Sequence, residues 1–364
     1  MFSKKLVVIL LLLGALVIVA LLGISYKLGS KVRIELQTAL NDYLERMVRD
    51  YASDDKPLSV KYDSFVCSGM SSYKCVSKHV ALINTSTHQE LMGISNLTLN
   101  IDDIGTGSVQ VSLKSPSLSF EGFDKMIQES QNKETISIYE AFKPVSFECS
   151  EKDKMTDKYA GEITSHNQCR IIAGNTQYHY SLYGRIKSPN FADKTILNAM
   201  ISYYSKFGFP EKISEEISDF EFAVDEISFS LASTGLKDIL YPIFEADYQS
   251  RKPQPKAPFN DQLYEKALGD LKNFIGFGLA ISGLLENPYQ EALREFIEGI
   301  QTMAMGKASK VRLALVPKQT PAPYFKIQPT TILNLDRTGT RQRIFAKILN
   351  NYNLIANTVL NEKK

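Results

Sequence analysis

Tryptophan is absent from the 364 residues, and histidine and cysteine number only four each. The histidines (His79, His88, His166, His179) form no H-x-x-x-H pair and the cysteines no C-x-x-C, so a zinc site has neither of its usual spacings. No P-loop, no G-x-S-x-G elbow and no G-x-G-x-x-G occurs, and Gly105-Thr-Gly107 reads as a turn between two strands. An excess of charge is missing too: 42 basic residues face 40 acidic ones, and no basic block is interleaved with aromatics. Nucleic acid is therefore not an expected partner. Carboxylate pairs such as Asp102-Asp103, Glu215-Glu216 and Asp225-Glu226 read as solvated. No catalytic residue, metal ligand or cofactor is assigned, and the chain is expected not to be an enzyme.

Long apolar runs are scarce, which gives the single one its meaning. Leu6 to Ile24 is uninterrupted except for Gly14 and Gly23 and follows Lys4-Lys5. As a helix it would measure about 28 Å, close to the thickness of a bilayer core. A cleavable signal peptide is the alternative, but the run exceeds a usual signal core and Val19–Gly23 has no A-x-A pattern. The expectation is an uncleaved anchor over residues 1–25. Lys4 and Lys5 place the N-terminus in the cytoplasm, while Lys27, Lys31 and Arg33 weaken that bias.

The cysteines fall into two local pairs, Cys67/Cys75 and Cys149/Cys169. An even count behind an export segment reads as two disulfides, and local pairing is the expected one of three connectivities. Each would stabilise by about 2–4 kcal/mol in the chain-entropy account. The bulk of the chain then belongs in an oxidising space, a bacterial periplasm ahead of an ER lumen or cell exterior.

Residues 26–56 carry Leu36, Leu40, Tyr43, Leu44, Met47, Val48 and Tyr51 at helical spacing, an amphipathic stalk that either packs on its own domain or dimerises. From residue 57 the period changes to two. Leu97, Leu99 and Ile101 alternate with polar residues, as do Val109, Val111 and Leu113, with Leu118 and Phe120 following a break at Pro116. Further strands are expected at about 59–66, 75–83, 158–164, 169–173 and 177–187. In 220–231 the alternation slips by one residue at Asp225-Glu226, the mark of a β-bulge. Helices are expected at 192–206, 235–249, 263–285, 288–304 and 340–360, with strands at 310–317 and 324–327. Phe274–Leu285 holds no charge and is read as a core or membrane-contacting helix rather than a second span. The proline-rich 252–258 is expected to divide a β-rich unit, 57–251, from a helical unit with returning strands, 259–364. The fold class is α+β, a curved and mostly antiparallel sheet with helices packed on it.

Val80-Ala-Leu82, Ile94–Leu99, Gly107–Leu118 and the late Leu313–Pro317 strand, behind one N-terminal anchor, resemble the opening and closing segments of AsmA-like bacterial envelope proteins. The resemblance implies a curved sheet with an apolar inner face, sometimes a lipid groove, and a role in envelope upkeep. This chain departs from that group in its length, its two cysteine pairs and its helical insertions. The resulting expectation is a single-pass inner-membrane protein with its bulk in the periplasm. It would bind a lipid or other apolar ligand on a face made by Leu97, Leu99, Ile101, Val109, Val111, Leu113, Phe274 and Phe277. Two alternatives remain: a scaffold that associates with itself or another envelope protein, and a hydrolase with a dispersed site.

Overall fold

A computed structural model describes residues 30–51, 58–70, 72–102, 107–129, 133–196, 199, 220–250, 257–281, 289–326 and 350–361. At 30–32, 46–51 and 274–281 only the backbone is described. The expected span at Leu6–Ile24 lies outside these residues. Among the described residues no helix is long and apolar enough to cross a membrane.

The chain builds an antiparallel sheet with six helices described around it, an α+β arrangement. The main path runs β1 (Leu58–Tyr62), β3 (Tyr73–Asn84), β4 (Gln89–Asp102), β5 (Ser108–Ser115), β7 (Ser146–Asp157), β8 (Glu162–Ala173), β9 (Thr176–Lys187), β10 (Glu221–Ser233), β11 (Ala308–Pro317) and β13 (Tyr352–Leu360). Short strands β2 (Val66–Ser68), β6 (Ser117–Ser119) and β12 (Phe325–Lys326) attach to β3, β4 and β10. The helices are α1 (Ser30–Tyr51), α2 (Glu121–Glu129), α3 (Lys133–Phe142), α4 (Leu236–Ser250), α5 (Asp261–Ile281) and α6 (Gln290–Ala304).

Alternation decides which face is dry. Leu97, Leu99 and Ile101 of β4 and Val109, Val111 and Leu113 of β5 join Leu36, Leu40 and Leu44 of α1, Phe65 and Cys75 in one core. Each α1 leucine is fully buried, a gain of about 1.5–3 kcal/mol apiece. The stalk helix therefore packs on its own sheet. Its polar residues do a second job: Asn41 Oδ1 accepts from Phe65 N (2.7 Å), Asn41 Nδ2 donates to Phe65 O (3.4 Å), and Gln37 Oε1 accepts from Cys67 N (2.9 Å). Side-chain amides thus stand in for a neighbouring strand along β2. At the other end of the same face, α6 lies on β11 and β13. Gly299 makes this approach possible, because a Cβ there would collide with Val311 and Thr358. A second core forms from Leu236, Tyr264, Leu268, Met303, Ala304 and Val311.

Both disulfides are local, Cys67–Cys75 and Cys149–Cys169, each joining directly opposed residues of an antiparallel pair. The expected bulge is present: register shifts between Val224 and Glu226, leaving Asp225 as the extra residue. Its carboxylate meets Arg185 Nε and Nη2 at 2.9 and 3.0 Å.

Several expectations need correction. The strand at 158–164 is instead a turn running into β8, because Asp157 Oδ1 accepts from Tyr159 N and Ala160 N and Gly161 adopts a positive φ. β8 then continues unbroken through 169–173. The C-terminal helix over 340–360 is a strand where described: β13 pairs with β11 from Tyr352 to Leu360, so sheet pairing overrides a helix-like pattern. Residues 340–349 lie outside the described residues, as does most of the helix expected at 192–206. The strands on either side of 252–258 belong to one sheet, β10 before it pairing with β11 after it. Phe259, just beyond the prolines, packs on Tyr241 and Tyr248 of α4 at 5.1 and 5.4 Å.

One core residue is chemically costly. Asp153 of β7 has no exposed surface, and neither carboxylate oxygen has a hydrogen-bond partner. Burial, then the nearby Glu151, push its pKa well above the ordinary value; Ser165 opposes part of the rise but turns its hydroxyl to Glu151 Oε1 at 3.4 Å.

Two predictions follow from this packing. Asn41→Ala leaves Phe65 N–H and C=O without partners and should cost roughly 1–3 kcal/mol in a denaturant titration; an unchanged midpoint would contradict the strand-mimic role. Because the folded pKa of Asp153 is raised, its protonated form contributes stability that is full below about pH 4 and lost as pH climbs through the folded value. Thermal melts should therefore show Asp153→Asn gaining on the wild type as pH rises from 4, and parallel pH curves would refute the assignment.

Candidate functional site

The strand residues expected to form an apolar ligand face are internal. Leu97, Leu99, Ile101, Val109, Val111 and Leu113 are each at most 1% exposed and are packed into the core shared with α1. Phe274 and Phe277 belong to α5, where their side chains lie outside the description. Apolar surface on this face is exposed further along the sheet, at Tyr180 (38%) and Phe229 (40%), which oppose each other across β9 and β10.

The histidines are distributed among structural contacts. His79 Nε2 lies 2.9 Å from Glu90 Oε2, and Ser119 Oγ donates to Glu90 Oε1 at 3.0 Å. Gly93 makes room for this trio, since a Cβ there would strike both Glu90 and Ser119. The carboxylate sits between serine and imidazole, so the histidine is not placed to take the serine proton, as a nucleophilic triad requires. The β3–β4 pairing thus brings His79 to Glu90 from eleven residues away. His166 stacks on Tyr183 at 3.7 Å and lies 3.3 Å from Ser181 Oγ; burial lowers its pKa. His179 is lowered by burial first and then by Lys310, His166, Arg170 and Arg312. The Asp225-Glu226 pair is split by the bulge, with Asp225 on Arg185 and Glu226 Oε1 on Arg312 Nη2 at 2.6 Å. Tyr324 caps the first pair, lying 5.0 Å under the Arg185 guanidinium and donating to Glu162 Oε2 at 2.7 Å. Burial and the Glu162 carboxylate push its hydroxyl pKa upward. These contacts tie strands together. Among the described residues no group of three or more metal-ligating side chains converges.

Two further features stand out among the described residues. One is an open cleft of about 370 Å³ on the opposite, wet face, lined by polar and apolar residues of β4, β5, β7 and β8. The other is β13, which ends the sheet. Lys318 N donates to Asn351 O and Asn361 N to Lys307 O, so odd-numbered residues of this strand bond inward to β11. By alternation, the N–H and C=O groups of Leu354, Ala356 and Thr358 point outward. Tyr352 O follows the same rule, receiving the Tyr289 hydroxyl at 3.4 Å. From Tyr352 to Leu360 there is no charged residue and no proline, and Ile355, Val359 and Leu360 are 40%, 53% and 66% exposed.

No family model matches the chain, and no curated protein matches it.

Proposed function

We propose that this chain is a membrane-tethered component of a bacterial envelope assembly that acts by association, and that β13 is the associating element. The observation that carries the reading is the outer edge of β13, which no strand pairs with among the described residues. Sheet edges are normally blunted by lysine, proline, bulges or a covering element, because unpaired backbone groups template further strands. The apolar run at Leu6–Ile24 and the two disulfides support placement of the bulk of the chain in an oxidising compartment beyond a membrane. The resemblance to AsmA-like proteins is compatible with an envelope role.

The partner is a second copy of this chain. Antiparallel pairing of two β13 strands about Ala356 sets Leu354 of one against Thr358 of the other. The smallest side chain then lies at the two-fold axis, and no like charges oppose each other. The stalk helix is not the associating surface in this reading, since its leucines are spent on the sheet. A second reading, an apolar ligand, finds its support at Tyr180 and Phe229 rather than at the β4 and β5 residues.

The test is the oligomeric state of the detergent-solubilised full chain, by light scattering at micromolar concentration. A dimer is expected for the wild type. Ala356→Pro removes only an outward N–H, so it should give a monomer while the β11 ladder persists, and Thr358→Lys should do the same by charge. A monomeric wild type, or variants that stay dimeric, would remove the proposal.

A further inference from the structure

The open cleft lies at a break in the sheet ladder. β4 pairs with β6 through Gly93–Ser95 and with β5 from Thr98 onward, so Asn96 and Leu97 face the corner at Pro116, which has no N–H to offer. Asn96 adopts a positive φ of 50°, and its displaced carbonyl is taken up by Thr98 Oγ1 at 3.0 Å. Ser115 Oγ fastens the corner, donating to Ser95 O (2.7 Å) and Ser117 O (2.9 Å). The backbone is thus satisfied around a permanent notch.

Three ionised side chains line it. Register places Lys114 opposite Glu148 and Glu148 opposite Arg170, in one row across β5, β7 and β8. All three line the cleft, with Asn96, Thr98 and Ser146 as neutral polar neighbours and Ile172 and Pro116 as apolar walls. Neighbouring opposite charges on a sheet can pair, and these three side chains are exposed. Here none of the three forms an ion pair or a side-chain hydrogen bond among the described residues. The pattern is cation, anion, cation, with net charge of +1.

We infer that this cleft binds a small ligand carrying a phosphomonoester and an ammonium group, of the phosphoethanolamine type. The phosphate sits between Lys114 and Arg170, whose planar fork suits two phosphate oxygens. The ammonium meets Glu148. A phosphomonoester carries about −1.5 to −2 at neutral pH, so with its ammonium the ligand is close to −1 and balances the site. A neutral zwitterion such as a free amino acid or a phosphodiester head group leaves one cation uncompensated. The volume is at the small end of ligand pockets, which suits a small ligand or the head of a larger one. This site is separate from the β13 edge, and neither inference requires the other.

Calorimetric titration of the detergent-solubilised full chain tests it with four probes: O-phosphoethanolamine, inorganic phosphate, ethanolamine, and a short-chain phosphatidylethanolamine. O-phosphoethanolamine should bind at least tenfold more tightly than each of the others, the lipid being the arm that separates a membrane source from a soluble one. Lys114→Gln and Arg170→Gln should each weaken it tenfold or more, and Glu148→Gln should abolish the preference over inorganic phosphate. Thermal melts of the same variants verify that they fold. Absence of binding, equal binding of phosphate alone, equal or tighter binding of the lipid diester, or folded variants that bind like the wild type would each overturn the inference.

Discussion

Register across the antiparallel ladder is the constraint on which everything else rests. Side chains alternate with a period of two, so a slip of one residue in β4 would send Leu97, Leu99 and Ile101 to the wet face, and a slip elsewhere would do the same to that strand's own inward set. Two covalent links hold that register, one between β2 and β3 and one between β7 and β8, each between residues that already face each other. The bulge at Asp225 is the controlled exception. It turns a carboxylate onto Arg185, whose Nη2 also donates to Ala322 O at 2.8 Å and so secures the segment after β11.

With the register set, the two faces separate in role. The dry face is closed at one end by α1 and at the other by α6, which leaves the chain little reason to recruit an apolar ligand where the alternation is strongest. The proposed association and ligand recognition use what the core does not: the outward backbone of β13 and the notch where β4 changes partners. Both arise from interruptions of an otherwise regular ladder, one where it stops and one where it breaks.

The parts of this fold legible in the sequence are those where a side chain's chemistry agrees with its place. The cysteine pairing, the alternation in β4, β5 and β9, and the phase slip at Asp225 could be read because each is local. β7 could not, because Glu151 and Asp153 stand at inward positions and spoil its alternation, an expense visible only once Asp153 is found without partners. β13 was hidden for the opposite reason: Leu354, Ile355 and Thr358 fit a helical stripe, and only pairing with β11 decides between the two. The cleft was half legible. Pro116 signals a break, but Lys114, Glu148 and Arg170 are neighbours only through the pairings of β5 with β7 and β7 with β8. The β13 edge, unpaired among the described residues, has no signal of its own beyond the absence of charge in 352–360, since whether a strand is an edge depends on what stands beside it.

The claim at the centre is that the chain fills its own apolar face across β4 and β5, with α1 an integral layer of the core rather than a detachable stalk. Hydrogen–deuterium exchange of the intact chain addresses this directly. Amides of residues 36–44 should exchange as slowly as those of 97–101 and 109–113 and lose protection with them in one step as denaturant rises. Rapid exchange across 36–44 beside a protected sheet would mean that the helix is not part of the core, and the account would fail.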